Sequence, residues 1–111
     1  MTTKPKIVRI WRGRVPRDKA DEYARYNYDA GIKPLEEKAL GVQSLREDRD
    51  SESEFITISR WESVEAMANF TGSDPRKVHH LDRDPEFLIE LPRSVQVLDL
   101  IASRGDCGGD R

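Results

Sequence analysis

Two adjacent histidines, His79 and His80, an arginine two residues before a tryptophan, Arg9 and Trp11, and a second tryptophan, Trp61, are the residues whose types suit chemistry. An imidazole titrates near neutral pH, so His80, with His79 beside it, suits the removal of a proton from a phenol or quinol. The anion so formed is electron-rich and can pass an electron to dioxygen. As a metal pair the two are unsuited, because adjacent side chains on a helix diverge by roughly 100° and cannot close on one ion. Arg9 can hold a carboxylate or enolate. Trp11, Trp61 and Phe70 offer flat walls for a ring, although such residues also simply fill cores. Tyr23 falls on a buried helical stripe, so its hydroxyl needs a partner, either a substrate oxygen or a backbone carbonyl. Cys107 sits among glycines in a polar tail with no fixed neighbours and is rejected as a nucleophile. There is no phosphate-binding loop, dinucleotide fingerprint, zinc spacing or Ser-His-Asp order.

The chain has 111 residues, enough for one domain, and is 36% hydrophobic and 36% charged. A thin core fits that balance, as does a subunit that completes its core by pairing with a second copy. The net charge of -2 argues against nucleic acid as the main partner. No apolar run approaches the roughly 18 residues that span a bilayer, so no membrane partner is expected. No apolar segment follows Lys4 and Lys6, so no signal peptide is read. With a single cysteine an internal disulfide is excluded, and a reducing, cytoplasmic location is expected. Lys4, Lys6, Arg9, Arg12, Arg14 and Arg17 all precede the first acid, Asp18. That bias fits solvent-facing strand residues or, in its sharper form, an anionic small substrate.

These residues must be positioned by a small set of elements. Residues 6–15 alternate as a first strand, with Ile7, Arg9, Trp11, Gly13 and Val15 on one face and Val8 and Ile10 on the other. Gly13 marks a bulge or a close approach. Asp18 is a candidate cap for a helix to about Ala30, whose stripe is Ala20, Tyr23, Ala24 and Asn27, continued by Ile32 and Leu35. Gly31 is expected to break or kink it, and Pro34 to start a further turn. Residues 41–49 and 54–61 form a hairpin of strands across a polar turn. Ser63 caps a helix with Val64, Met67 and Phe70 inward, and Gly72 stops it. Asp74-Pro75 is expected to open a helix carrying His79 and His80, and Asp84-Pro85 repeats that start. Residues 93–101 alternate as a last strand. Residues 1–102 therefore form one domain, and 103–111 a flexible tail. The order β-α-β-β-α-β predicts an α+β, ferredoxin-like fold with a four-stranded antiparallel sheet covered by helices on one face. Apolar residues on the other face predict a homodimer through the open sheet face, a dimeric α+β barrel.

The first strand IVRIWRGRV, the junction ITISRWES, the helix end EAMANFTGSD and the segment HHLDRDPEFL, together spanning about residues 7–101, resemble the antibiotic-biosynthesis monooxygenase-like family of the dimeric α+β barrel superfamily. The resemblance implies a cofactor-independent monooxygenase acting on a small aromatic or polyketide-like compound. His80 would be the catalytic base, and Arg9, Trp11, Tyr23, Trp61, Phe70 and His79 would bind the substrate, with no metal. A haem-binding or haem-degrading protein is the alternative within the superfamily. His80 then falls at the iron-ligand position, Phe70 stands where those enzymes have tryptophan, and no asparagine lies near Arg9 to Trp11. A non-catalytic small-molecule-binding or structural dimer is the reading outside enzymes.

Overall fold

A computed structural model describes residues 4–72, 74, 76–78 and 80–105. Strand β1 (Ile7–Pro16) leads through one tight turn (Arg17–Lys19) into helix α1 (Ala20–Asn27). A five-residue π turn (Tyr28–Ile32) joins α1 to α2 (Lys33–Lys38). Strands β2 (Gly41–Asp48) and β3 (Glu52–Trp61) follow, then α3 (Val64–Thr71), the short α4 (Asp84–Phe87) and β4 (Gln96–Asp99). The sheet order is β2-β3-β1-β4, antiparallel throughout. This is the predicted split βαβ arrangement. No helix among the described residues is long and apolar enough to cross a membrane.

The register explains where the core divides. Ile7 pairs with Trp61, Arg9 with Ser59, Trp11 with Thr57, Gly13 with Phe55 and Val15 with Ser53, all on the covered face. One end of that face joins Ile7 and Trp61 to Leu35 and Met67 in a hydrophobic cluster. The other joins Val15 and Phe55 to Ala20, Tyr23, Phe87 and Leu88. Between them runs a polar band of Arg9, Ser59 and Thr57, all buried. Trp61 donates its indole N–H to Ser59 Oγ at 2.9 Å, which satisfies one member of the band.

The helical stripe is the predicted one: Ala20, Tyr23, Asn27, Ile32 and Leu35 are buried. Gly31 does not break the helix. The chain stays helical through it, and the wide turn supplies the five-residue step from Asn27 to Ile32 that keeps both halves of the stripe facing the sheet. Asp18 makes no side-chain cap; it lies in the tight turn before α1. Ser63 does cap α3, its Oγ accepting from Ala66 N at 3.0 Å, and Gly72 closes that helix at φ 87°. The buried stripe of α3 is Met67 and Thr71, with Phe70 half-buried and Val64 exposed.

The helix expected after Asp74-Pro75 is absent among the described residues. Asp74 Oδ1 accepts from Arg76 N at 3.0 Å and its carbonyl from Lys77 N at 3.1 Å, which makes a single turn. The carbonyls a helix would need next are taken elsewhere, Arg76 O by Val95 N at 3.1 Å and Lys77 O by the Arg9 side chain at 3.2 Å. Using Val95 in this way also shortens the last strand, which begins at Gln96. His79, Cys107 and most of the 103–111 tail lie outside the described residues.

Two expectations for stability follow from these contacts. Replacing Ser63 by Ala is expected to cost about 1 kcal/mol in urea unfolding, the usual worth of a helix cap. Gly13 is close-packed rather than bulged: a Cβ there would lie 2.8 Å from Trp11 Cζ2 and 3.0 Å from Leu88 Cδ2. Gly13→Ala is therefore expected to cost about 1–3 kcal/mol by overpacking, with a shifted Trp11 fluorescence maximum as the indole is displaced.

Candidate functional site

The polar band is not closed over by the helices. A cavity of about 130 Å³ lies above it, lined by Arg9, Trp11 and Thr57 from the sheet and by Tyr23, Asn27 and the wide turn from the helices. Phe70, Leu81 and Asp84 complete the wall. Each wall has a local cause. Gly13 leaves room for the Trp11 indole to lie along the strand. The π turn brings Gly31 close in, where a Cβ would stand 3.2 Å from Leu81 Cδ1. An engineered cavity of about 150 Å³ holds one benzene ring, so this space suits a single ring.

Tyr23 and Asp84 form the best-defined polar contact in the cavity wall. Tyr23 donates its hydroxyl to Asp84 Oδ1 at 3.1 Å, and Leu81 N donates to Oδ2 at 2.8 Å. Burial raises the Asp84 carboxyl above its ordinary range, and the two hydrogen bonds and the charge of His80 offset that only in part. Burial, the Asp84 charge and the hydrogen bond to it push the Tyr23 phenol far up, so it keeps its proton. The pair also fastens α1 to α4, and Phe87 follows Asp84 into the core against the Tyr23 ring, 5.3 Å between centroids.

Arg9 is only 6% exposed. Its one hydrogen bond among the described residues runs from Nη2 to Lys77 O, and its Nε is buried with no partner. No carboxylate pairs with it among the described residues. Desolvation alone moves its pKa, downward.

The structure brings four of the sequence-predicted site residues to the cavity: Arg9, Trp11, Tyr23 and Phe70. Trp61 is core, packed behind Phe70 with the rings tilted by 35° and their centroids 5.7 Å apart, and is not among the lining residues. His80 is exposed and lines a separate, more open pocket of about 390 Å³ with Tyr26, Ala30, Leu81, Asp82 and Arg83, next to the cavity through Ala30 and Leu81. Asp84, Asn27 and Thr57 are cavity residues that the sequence reading did not single out. Asn27 carried a signal, a carboxamide on an otherwise apolar stripe. Asp84 read as a helix start, which it is, and its carboxylate also turns inward. Among the described residues no cluster of His, Cys, Asp and Glu could hold a metal ion.

No protein-family model matches the chain, and no curated protein does. Among solved structures, a "putative antibiotic biosynthesis monooxygenase" from Bacillus cereus superposes with a TM-score of 0.64 at 20% identity, covering 92% of this chain and 99% of that one. The chain thus has the antibiotic-biosynthesis-monooxygenase-like, ferredoxin-like α+β fold, over nearly its whole length.

Proposed function

We propose that the protein is a cofactor-independent monooxygenase that oxidises a small aromatic or polyketide-derived phenol in the cavity beneath α1 and α2. The observation that carries the proposal is the Tyr23–Asp84 pair facing the same cavity as Arg9 and Trp11. The likeness to a protein described as a monooxygenase supports the reaction class. The substrate O–H donates to the Tyr23 hydroxyl oxygen, Tyr23 gives its own proton to Asp84 Oδ1, and the phenolate remains. Raised by burial, Asp84 is a stronger base than an ordinary carboxylate. The phenolate passes one electron to dioxygen, the radical pair joins at a ring carbon, and the peroxide anion takes the proton back from Asp84 to become a hydroperoxide. Loss of water with the hydrogen on that carbon leaves a carbonyl. Phenol plus dioxygen gives quinone plus water, and all four electrons come from the substrate.

In this scheme His80 acts through its charge from outside the cavity, where it lowers the Asp84 pKa. We do not extend the proposal to haem. His80, the expected iron ligand, does not line the cavity that holds the Tyr23–Asp84 pair.

Oxygen uptake on a panel of monocyclic phenols and quinols tests the reading. Asp84→Asn and Tyr23→Phe are each expected to lower kcat/KM by about 10²–10⁴-fold, while His80→Ala stays within about tenfold of the parent. A base works deprotonated, so the rate should rise with pH through the Asp84 pKa, above the ordinary 3.8, and that limb should vanish in Asp84→Asn. Absence of substrate-dependent uptake refutes the enzyme, and loss of activity in His80→Ala alone moves the base to His80.

The proposal includes a homodimer. Val8, Ile10, Leu45, Ile56, Ile58 and Leu98 share the uncovered sheet face, with Leu45 44% and Leu98 42% exposed. Such a stripe is stable when a second copy covers it. Sedimentation at micromolar concentration is expected to show a dimer, and Ile58→Arg, at the centre of the stripe, a folded monomer.

A further inference from the structure

We infer that the cavity recognises a ligand bearing a carboxylate, and that Arg9 is the residue that selects for it. The inference rests on the cavity being the ligand site of the proposed function, but not on the oxidation itself. A guanidinium stays charged in a protein, and burying it without a counter-ion is costly. Arg9 is such a group: buried, with one backbone carbonyl as its hydrogen-bond partner, an unpartnered Nε, and no carboxylate paired with it among the described residues.

The only acid among the described residues of the cavity wall, Asp84, is engaged at both oxygens by Tyr23 and Leu81 N. Arg9 is therefore a cation that the fold buries and leaves uncompensated at the edge of a cavity. A carboxylate entering there supplies the missing charge and accepts from the free donors, an interaction strengthened by the dry surroundings. A neutral ligand of the same shape leaves the cation as it was. The space admits one ring, and apart from Asn27 and Thr57 the remaining wall is apolar, formed by Trp11, Ile32, Leu35 and Phe70. The ligand class that fits is a monocyclic carboxylate, such as a hydroxybenzoate, with its acid on Arg9 and its hydroxyl on Tyr23. The basic character of β1 then divides by face: Arg12 and Arg14 lie on the open side, and Arg9, alone of the three, turns its charge inward.

Isothermal titration with benzoate and its neutral isostere benzamide tests this. The parent protein is expected to bind benzoate at least tenfold tighter than benzamide. Arg9→Met is expected to lose about tenfold or more of the benzoate affinity, keep its benzamide affinity, and unfold at the same or a higher temperature, since it removes a buried unpaired charge. If Arg9→Met does not fold, Arg9→Lys retains the charge without the planar fork and should bind benzoate more weakly than the parent, still ahead of benzamide. Equal affinities for the two probes, no benzoate binding to the parent, or a substitution at Arg9 that leaves benzoate affinity untouched overturns the inference. Benzoate binding without oxygen uptake on any phenol would refute the oxygenase and leave the carboxylate site standing. Uptake on phenols with no preference for benzoate would do the reverse.

Discussion

The structure depends on a polar band set across the middle of an otherwise apolar sheet face. Arg9, Ser59 and Thr57 cannot be packed under hydrophobic side chains at no cost, because each brings a group that wants a partner. The core responds by splitting into two hydrophobic clusters, one at each end of β1 and β3. Ser59 is satisfied by Trp61. What remains over Arg9 and Thr57 is a space, and the helices arch over it instead of filling it.

The arch is held by a few specific contacts. Tyr23 and Asp84, 61 residues apart, join the first helix to the segment that precedes the last strand. Arg9 reaches up to Lys77 O and ties the same segment to β1. Between α3 and α4 these polar ties add to the buried side chain of Val78 in placing the chain. A group that fastens the wall also faces the cavity, so structural and chemical roles cannot be separated for Tyr23 or Asp84 by loss of function alone. The pH dependence and the pairing of charged with neutral ligands are what distinguish them.

Much of the fold was legible in the sequence because it is written in periodicity. Alternation in β1 and β3 gave the faces, and the stripe from Ala20 to Leu35 gave the helical layer. Ser63 and Gly72 bounded α3 through local chemistry that needs no distant partner. The failures are non-local. Asp74-Pro75 carries a helix-start signal, yet the carbonyls that would propagate the helix are claimed by Val95 and Arg9, residues 19 and 68 positions away by number. Arg9, Trp11, Tyr23 and Phe70 were readable as cavity residues because strand alternation and helical spacing place them inward. Asp84 was not, because a cap and an inward-facing acid share the same Asp-Pro signature. Trp61 and Phe70 differ by one layer, and no period distinguishes a residue that lines a cavity from one that backs it.

The wide turn at Tyr28–Ile32 has a meaning beyond the wall it forms. A π turn is a regular helix with one residue added. Removing that residue would let the helix close up with Asn27 and Ile32 four positions apart, still on one face, and both halves of the stripe would keep their seats on the sheet. The fold would persist while the roof dropped toward Arg9. The chain therefore holds its architecture and its internal space as separable properties, with a single inserted residue as the difference between them.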